Sequence, residues 1–142
     1  PVPLANLLDD ALQINAAGFS RHGVQVIRQY SDVPPAIADK HKVLQILVNL
    51  VHNAKYALDE SGRADKKLTV ALAMNGNNRL KVSISDNGIG FPANVSWEKT
   101  DSLGLQLVRS LTDQLNGSIK CQLDRGAQFD IRFRPLVSDR QK

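Results

Sequence analysis

Asn49 and Asn53 stand four residues apart in "VLQILVNLVHNAKYAL", and Asp86 heads the run Asp86-Asn87-Gly88-Ile89-Gly90-Phe91. These side chains have the types and spacing to do chemistry. Four residues is about one helical turn, so both amides project from one flank of a helix, with Tyr56 beside them. Asparagine is a middling-to-poor helix former, and two on one flank suggest a task beyond propensity. A bland boundary role is the competing reading. A neutral amide oxygen at a pocket's edge suits Mg²⁺, a hard ion that keeps several waters and shares phosphate oxygens. An aspartate there would repel a triphosphate, and the amide avoids that.

An ionised carboxylate only accepts hydrogen bonds. Asp86 therefore suits a donor such as the exocyclic amine of adenine and rejects a carbonyl at the same place, as in guanine. Gly88 and Gly90 remove Cβ atoms where backbone must approach a flat ring, and Ile89 and Phe91 can wall it. Taken alone, the pentapeptide reads equally well as an Asn-Gly turn. Residues 92–101, "PANVSWEKTD", have weak periodicity and turn-forming composition, which suits a cover over a pocket. Ser102-Leu103-Gly104-Leu105 then opens a helix whose positive dipole end favours an anion, with Gly104 giving phosphate room. Neither a G-x-x-x-x-G-K-[ST] loop nor a dinucleotide G-x-G-x-x-G after a first strand is present, so another nucleotide architecture is needed.

Hydrophobic periodicity supplies the elements that hold these residues. "LANLLDDALQINAAGFSRHG" places Leu4, Leu7, Leu8, Ala11, Leu12 and Ile14 at helical spacing and stops at Gly23. "VQVIRQY" alternates as a strand, and "SDVPPAIAD" is a loop around Pro34-Pro35. Asp39 is the N-cap of the longest helix, which closes at Gly62. Its apolar stripe, centred near Leu50 and Ala54, faces the sheet, while His52, Lys55 and Asp59 face solvent.

"KKLTVALAM" and "RLKVSISD" form a hairpin about Asn75-Gly76-Asn77-Asn78. Leu80, Val82 and Ile84 point one way and Lys81, Ser83 and Ser85 the other, so one sheet face is wet or only partly covered. Asp86 ends this strand near buried surface. A helix from Ser102 to Asn116-Gly117 and a last hairpin about Arg125-Gly126 complete the chain. The order α-β-α-β-β-α-β-β predicts an α+β fold: a mixed, mostly antiparallel sheet with helices packed on one face, over a single domain, 1–142.

Composition narrows the function classes. The chain has 142 residues, 42% hydrophobic, 23% charged and only 5% aromatic, so a base-stacking surface has little to work with. The net charge is +4, yet the basic residues are scattered in sequence, which argues against a nucleic-acid partner. The single cysteine, Cys121, excludes an internal disulfide and a cysteine-based zinc cluster. No apolar run reaches the ~20 residues of a membrane span, and a cytoplasmic location with no membrane contact is the expectation.

Together these segments resemble the catalytic ATP-binding domain of sensor histidine kinases, in the superfamily shared with gyrase and MutL. "NLVHNA" (49–54) looks like that family's N box, "DNGIGF" (86–91) matches its first glycine box, and "SLGLQLVRSLTDQLNGSI" (102–119) looks like the second, with a short lid. The resemblance implies a two-layer α/β sandwich of the Bergerat type that binds ATP and Mg²⁺. It implies that Asn53 coordinates Mg²⁺, Asn49 flanks the triphosphate and Asp86 binds the adenine amino group. Gly88 and Gly90 would line the base. Leu103, Gly104 and Leu105 would anchor lid and phosphates, and Tyr56 and Phe91 complete the ATP-binding set.

In hydrolysing relatives the position of Asn49 is a glutamate that activates water. A neutral amide is no base near pH 7, which favours phosphoryl transfer to a protein over hydrolysis. His22, His41 and His52 lack the family's phosphoacceptor setting. The acceptor is therefore expected on a separate dimerisation domain of the same parent kinase, with a response regulator downstream.

Two departures bear on the reading. A lysine common in the family three residues after the metal-binding asparagine is Tyr56 here, with Lys55 one place early. The family's threonine after the late glycine, which supports the adenine-binding aspartate, is Ala127 in "RGAQF". Its missing hydroxyl motivates the alternative of a degenerate module that binds nucleotide poorly and works by protein contact. A serine kinase acting on an antagonist protein is a third class, but its members usually carry the glutamate that Asn49 replaces.

Overall fold

The computed structural model describes residues 2–62, 64–75, 79–88, 103–115, 117–123 and 126–134. Helices α1 (Leu4–Ile14) and α2 (Ala16–His22) lead into strand β1 (Gln25–Tyr30). Helix α3 (Lys40–Ser61), strands β2 (Lys67–Met74) and β3 (Leu80–Asp86), helix α4 (Leu103–Gln114) and strands β4 (Ser118–Leu123) and β5 (Ala127–Phe133) follow. The five strands lie in the order β1-β2-β3-β5-β4. Only β1–β2 is parallel, and the other three pairings are antiparallel. The α+β class and the mostly antiparallel mixed sheet are as the sequence predicts.

Alternation decides which face is covered. Leu68, Val70 and Leu72 of β2, Leu80, Val82 and Ile84 of β3, and Phe129, Ile131 and Phe133 of β5 are buried on one side. Register aligns them as rungs, Val70 beside Ile84 and Ile84 beside Phe129. Helix α3 sets Val43, Ile46, Leu47, Leu50, Val51, Ala54 and Leu58 into this layer. Helices α1 and α4 pack against α3, on its two sides of the same layer. Their buried residues, Leu4, Leu7, Leu8, Ala11 and Leu12 from α1 and Leu105, Val108 and Leu111 from α4, join the one core. The opposite sheet face keeps Thr69, Ser83, Ser85 and Gln128 partly exposed, as the polar alternation requires.

The long helix starts and stops where its sequence says. The Asp39 carboxylate accepts hydrogen bonds from the His41 N–H at 2.9 Å and the Lys42 N–H at 3.2 Å. Gly62, at φ 68°, takes the left-handed conformation that closes it. Asp39→Ala removes the acceptor for two otherwise orphaned donors and is expected to cost about 1 kcal/mol in a urea melt.

The first helix departs from expectation. Its single pattern through residue 22 is broken at Asn15, whose side-chain amide donates to the Ala11 carbonyl at 3.2 Å. Asparagine competes with the backbone for such bonds, and here it ends α1 and redirects the chain into α2. The break turns Ile14, counted with the apolar face, out to 62% exposure. Lys55, expected to face solvent, departs as well. It is half-buried, and its side chain lies over Gly18 of α2, where an added Cβ would come within 2.8 Å of Nζ.

Candidate functional site

Asp86 shares the face of Leu80, Val82 and Ile84, so its carboxylate leaves the last turn of the pleat on the helix side, opposite Leu68 of β2. Its Oδ1 accepts the Gly88 N–H at 2.8 Å, and the Ala127 N–H also donates to the carboxylate. Burial pushes its pKa from 3.8 up to about 6, and the two N–H donors, of Gly88 and Ala127, hold it from rising further. An acid near the end of a buried strand is thus kept as an acceptor, held among the described residues by backbone N–H groups.

Gly88 connects this acid to α3. A Cβ on Gly88 would sit 2.7 Å from the backbone carbonyl carbon of Ala57. Ala57 is one turn beyond Asn53 on the same helix, so the strand end and the asparagine flank meet at one place. Glycine at 88 is therefore also required by clearance from α3, since a Cβ there would strike the Ala57 backbone. Asn87 braces the same turn. Its Oδ1 accepts the Lys67 N–H at 2.8 Å, and its Nδ2 donates to the Asp65 carbonyl at 2.8 Å, tying the strand exit to the start of β2.

On α3, the Asn49 Nδ2 donates to the Gln45 carbonyl one turn back at 2.8 Å, which leaves its Oδ1 as the outward acceptor. Asn53 is half-buried, and its amide makes no hydrogen bond with any described residue. Tyr56, on the same flank, is 62% exposed. Helix α4 begins at Leu103 beside α3. Gly104 is half-buried in its first turn, but the Leu105 side chain is core, so Leu105 can hold this helix end only by packing. Gly90, Phe91, Ile89, Ser102 and the Leu103 side chain lie outside the described residues. His41 and His52 are exposed, and the side chain of His22 is outside the described set.

One residue that shapes the site was read from sequence only as a turn. Gly126 has φ 138°, and a Cβ there would collide with the Asp86 carbonyl oxygen. This close approach brings the next residue, Ala127, near enough for its N–H to reach the Asp86 carboxylate. Gly126→Ala combines a disfavoured backbone conformation with a backbone collision. It is expected to cost upwards of roughly 1–3 kcal/mol in chemical denaturation and to displace Asp86.

Among the described residues no group of three or more His, Cys, Asp or Glu side chains could hold a metal, and no helix is long and apolar enough to cross a membrane.

Residues 38–137 match the family model described as "Histidine kinase-, DNA gyrase B-, and HSP90-like ATPase". The chain is 35% identical over 100 residues to the sensor histidine kinase PdtaS of Mycobacterium tuberculosis, covering 69% of this chain and 20% of that protein. It is 28% identical over 140 residues to the sensory histidine kinase/phosphatase NtrB of Rhodobacter capsulatus, covering 86% of this chain and 39% of that one. The chain thus spans well under half the length of these curated relatives. The catalytic domain of histidine kinase ThkA superposes with a TM-score of 0.80 at 19% identity over 93% of both chains, a likeness of fold.

Proposed function

The chain belongs to the histidine kinase-, DNA gyrase B- and HSP90-like ATPase family, and we propose that residues 1–142 form the ATP-binding catalytic unit of a sensor histidine kinase. In this reading it binds Mg-ATP and delivers the γ-phosphoryl group to a histidine on a separate dimerisation domain of its parent protein, in the cytoplasm. A response regulator then receives the group. The observation that carries the reading is the meeting of the Asp86 turn with α3 one turn from Asn53, through the Gly88–Ala57 contact.

Asp86 accepts the adenine amino group, and Gly88 and Gly90 lie along the base with Phe91. Asn49 and Asn53 face the triphosphate across α3, with Tyr56 at the outer rim. The first turn of α4, with Leu103, Gly104 and Leu105, steadies the phosphates by its dipole. An amide oxygen with no hydrogen-bond partner among the described residues fits a hard cation, so Asn53 would hold Mg²⁺ beside the phosphates. The ion supplies charge neutralisation on the phosphates. No side chain on this flank is a base, because Asn49 is a neutral amide. Catalysis by these residues is positioning and charge stabilisation, as in phosphoryl transfer generally.

The test joins the chain to the dimerisation segment of its parent protein and supplies labelled ATP. Acid-labile, base-stable label on that segment is expected, whereas acid-stable phosphoserine or free phosphate alone rejects the assignment.

Ala127 motivates the second reading, a nucleotide-poor interaction module. Asp86 already receives the Ala127 N–H, so the absent hydroxyl removes one bond of a set and not the whole support. Ala127→Thr is therefore expected to tighten Mg-ADP binding only by roughly 2–10-fold, the range of one hydrogen bond, in calorimetry. No heat from the parent chain at millimolar Mg-ADP would favour the interaction module.

A further inference from the structure

The last rung between β2 and β3 is completed by a side chain. Leu68 stands opposite Asp86, so Lys67 and Asn87 would form the next pair. The Lys66 carbonyl accepts the Gln25 N–H of β1 at 3.0 Å, so by alternation Lys67 turns its own N–H and carbonyl to β3. Residues that face each other in this way exchange two main-chain hydrogen bonds. Here main chain makes one of them, from the Asn87 N–H to the Lys67 carbonyl at 3.3 Å. The Lys67 N–H goes instead to Oδ1 of Asn87 at 2.8 Å, and Nδ2 of Asn87 donates to the Asp65 carbonyl at 2.8 Å.

In a continued strand, those two groups of β2 would meet the carbonyl of residue 87 and the N–H two residues on. A carboxamide presents the same acceptor and donor side by side, so one side chain stands in for a stretch of backbone. A carboxylate lacks the donor, and a hydroxyl offers a single atom to two partners. The end of β2 is thus satisfied while the chain leaves it. The departure is immediate. Gly88 lies against α3, where a Cβ would come within 2.7 Å of the Ala57 carbonyl carbon, and its N–H donates to Oδ1 of Asp86 at 2.8 Å. A main chain that kept its ladder bonds would instead run on beside β2.

We propose that Asn87 is a positioning residue for the nucleotide site: its carboxamide replaces main chain against β2, which frees the next peptide to turn onto α3 and hold the Asp86 carboxylate where adenine meets it. This role rests on the reading of Asp86 as the adenine acceptor, and Asn87 acts through it.

Amide hydrogen exchange in the nucleotide-free chain reads the turn itself, and calorimetry with Mg-ADP between pH 5 and 8 reads its use. In Asn87→Ala the Gly88 N–H should exchange roughly tenfold faster than in the parent. Mg-ADP should bind roughly 5–20-fold more weakly at pH 8, where Asp86 is ionised, as the transmitted effect of two lost hydrogen bonds. The pH midpoint of binding should rise by roughly 0.5–1 unit, because a loosened Gly88 N–H favours the ionised carboxylate less. Asn87→Ser, whose hydroxyl serves either β2 partner in part, should fall between. Asp39→Ala, which loosens the start of α3, should match the parent in affinity and midpoint. Parent-like Gly88 exchange in Asn87→Ala, or parent-like affinity and midpoint, would overturn the proposal. So would equal weakening in Asp39→Ala, which would make the loss one of general stability. If Asp86→Asn binds Mg-ADP as the parent does, the adenine reading falls and takes this role with it, even where Gly88 exchange is accelerated.

Discussion

Asn53→Ala is expected to lower phosphohistidine formation by roughly 10²–10³-fold, the usual effect of losing one well-placed stabilising group. The fold should survive the change. Asn53 lies on the flank of α3, outside the buried stripe of Leu50, Ala54 and Leu58, and its amide bonds to no described residue. Alanine is also the better helix former, so stability should stay level or rise slightly. A retained melting temperature with lost transfer assigns the amide to chemistry. Undiminished labelling of the phosphoacceptor segment by the variant would remove Asn53 from the metal role. Asn49→Ala should have a smaller effect, because that amide is half engaged by the Gln45 carbonyl.

The second large effect concerns pH. Burial raises Asp86 from 3.8 to about 6, so its folded-state pKa lies above its unfolded one. Its contribution to stability is then fully present below about 3.8 and is lost as pH rises through about 6. At neutral pH the ligand-free domain bears a cost on the order of 2–3 kcal/mol for keeping this carboxylate ionised. Adenine recognition needs the ionised acceptor. Lowering pH through about 6 should therefore weaken Mg-ADP binding while this group's share of the stability rises.

Opposite trends in one pH window separate a functional acid from a merely buried one. Asp86→Asn should flatten both trends and weaken Mg-ADP by roughly 10–100-fold, the worth of a hydrogen bond to a charged group. Calorimetry and urea melts between pH 5 and 8 read both, and a nucleotide affinity indifferent to pH and to this substitution would place the adenine elsewhere.

Much of this arrangement was legible in the sequence because it rests on local periodicity. The alternation from Leu80 to Ser85 fixed which face Asp86 would leave, and Asp39 and Gly62 marked the ends of the helix that carries Asn49 and Asn53. What escaped depends on contacts between distant segments. Asn15 breaks α1 by bonding back to Ala11, a competition that apolar spacing does not register. Gly88 and Gly126 are needed for clearance from Ala57 and from the Asp86 carbonyl. A hairpin turn and a strand end separated by forty residues give no sign in sequence that they touch. The place of the Asn87 carboxamide in the β2–β3 ladder is equally invisible until register is known.

The proposed function requires a single cavity shared by Asp86 and the α3 asparagines, and a crystal structure with Mg²⁺ and a non-hydrolysable ATP analogue measures that directly. The adenine amine is expected at about 3 Å from the Asp86 carboxylate, with the metal about 2.0–2.1 Å from Oδ1 of Asn53. An adenine lodged away from Asp86, or a metal with no contact to Asn53, would contradict it.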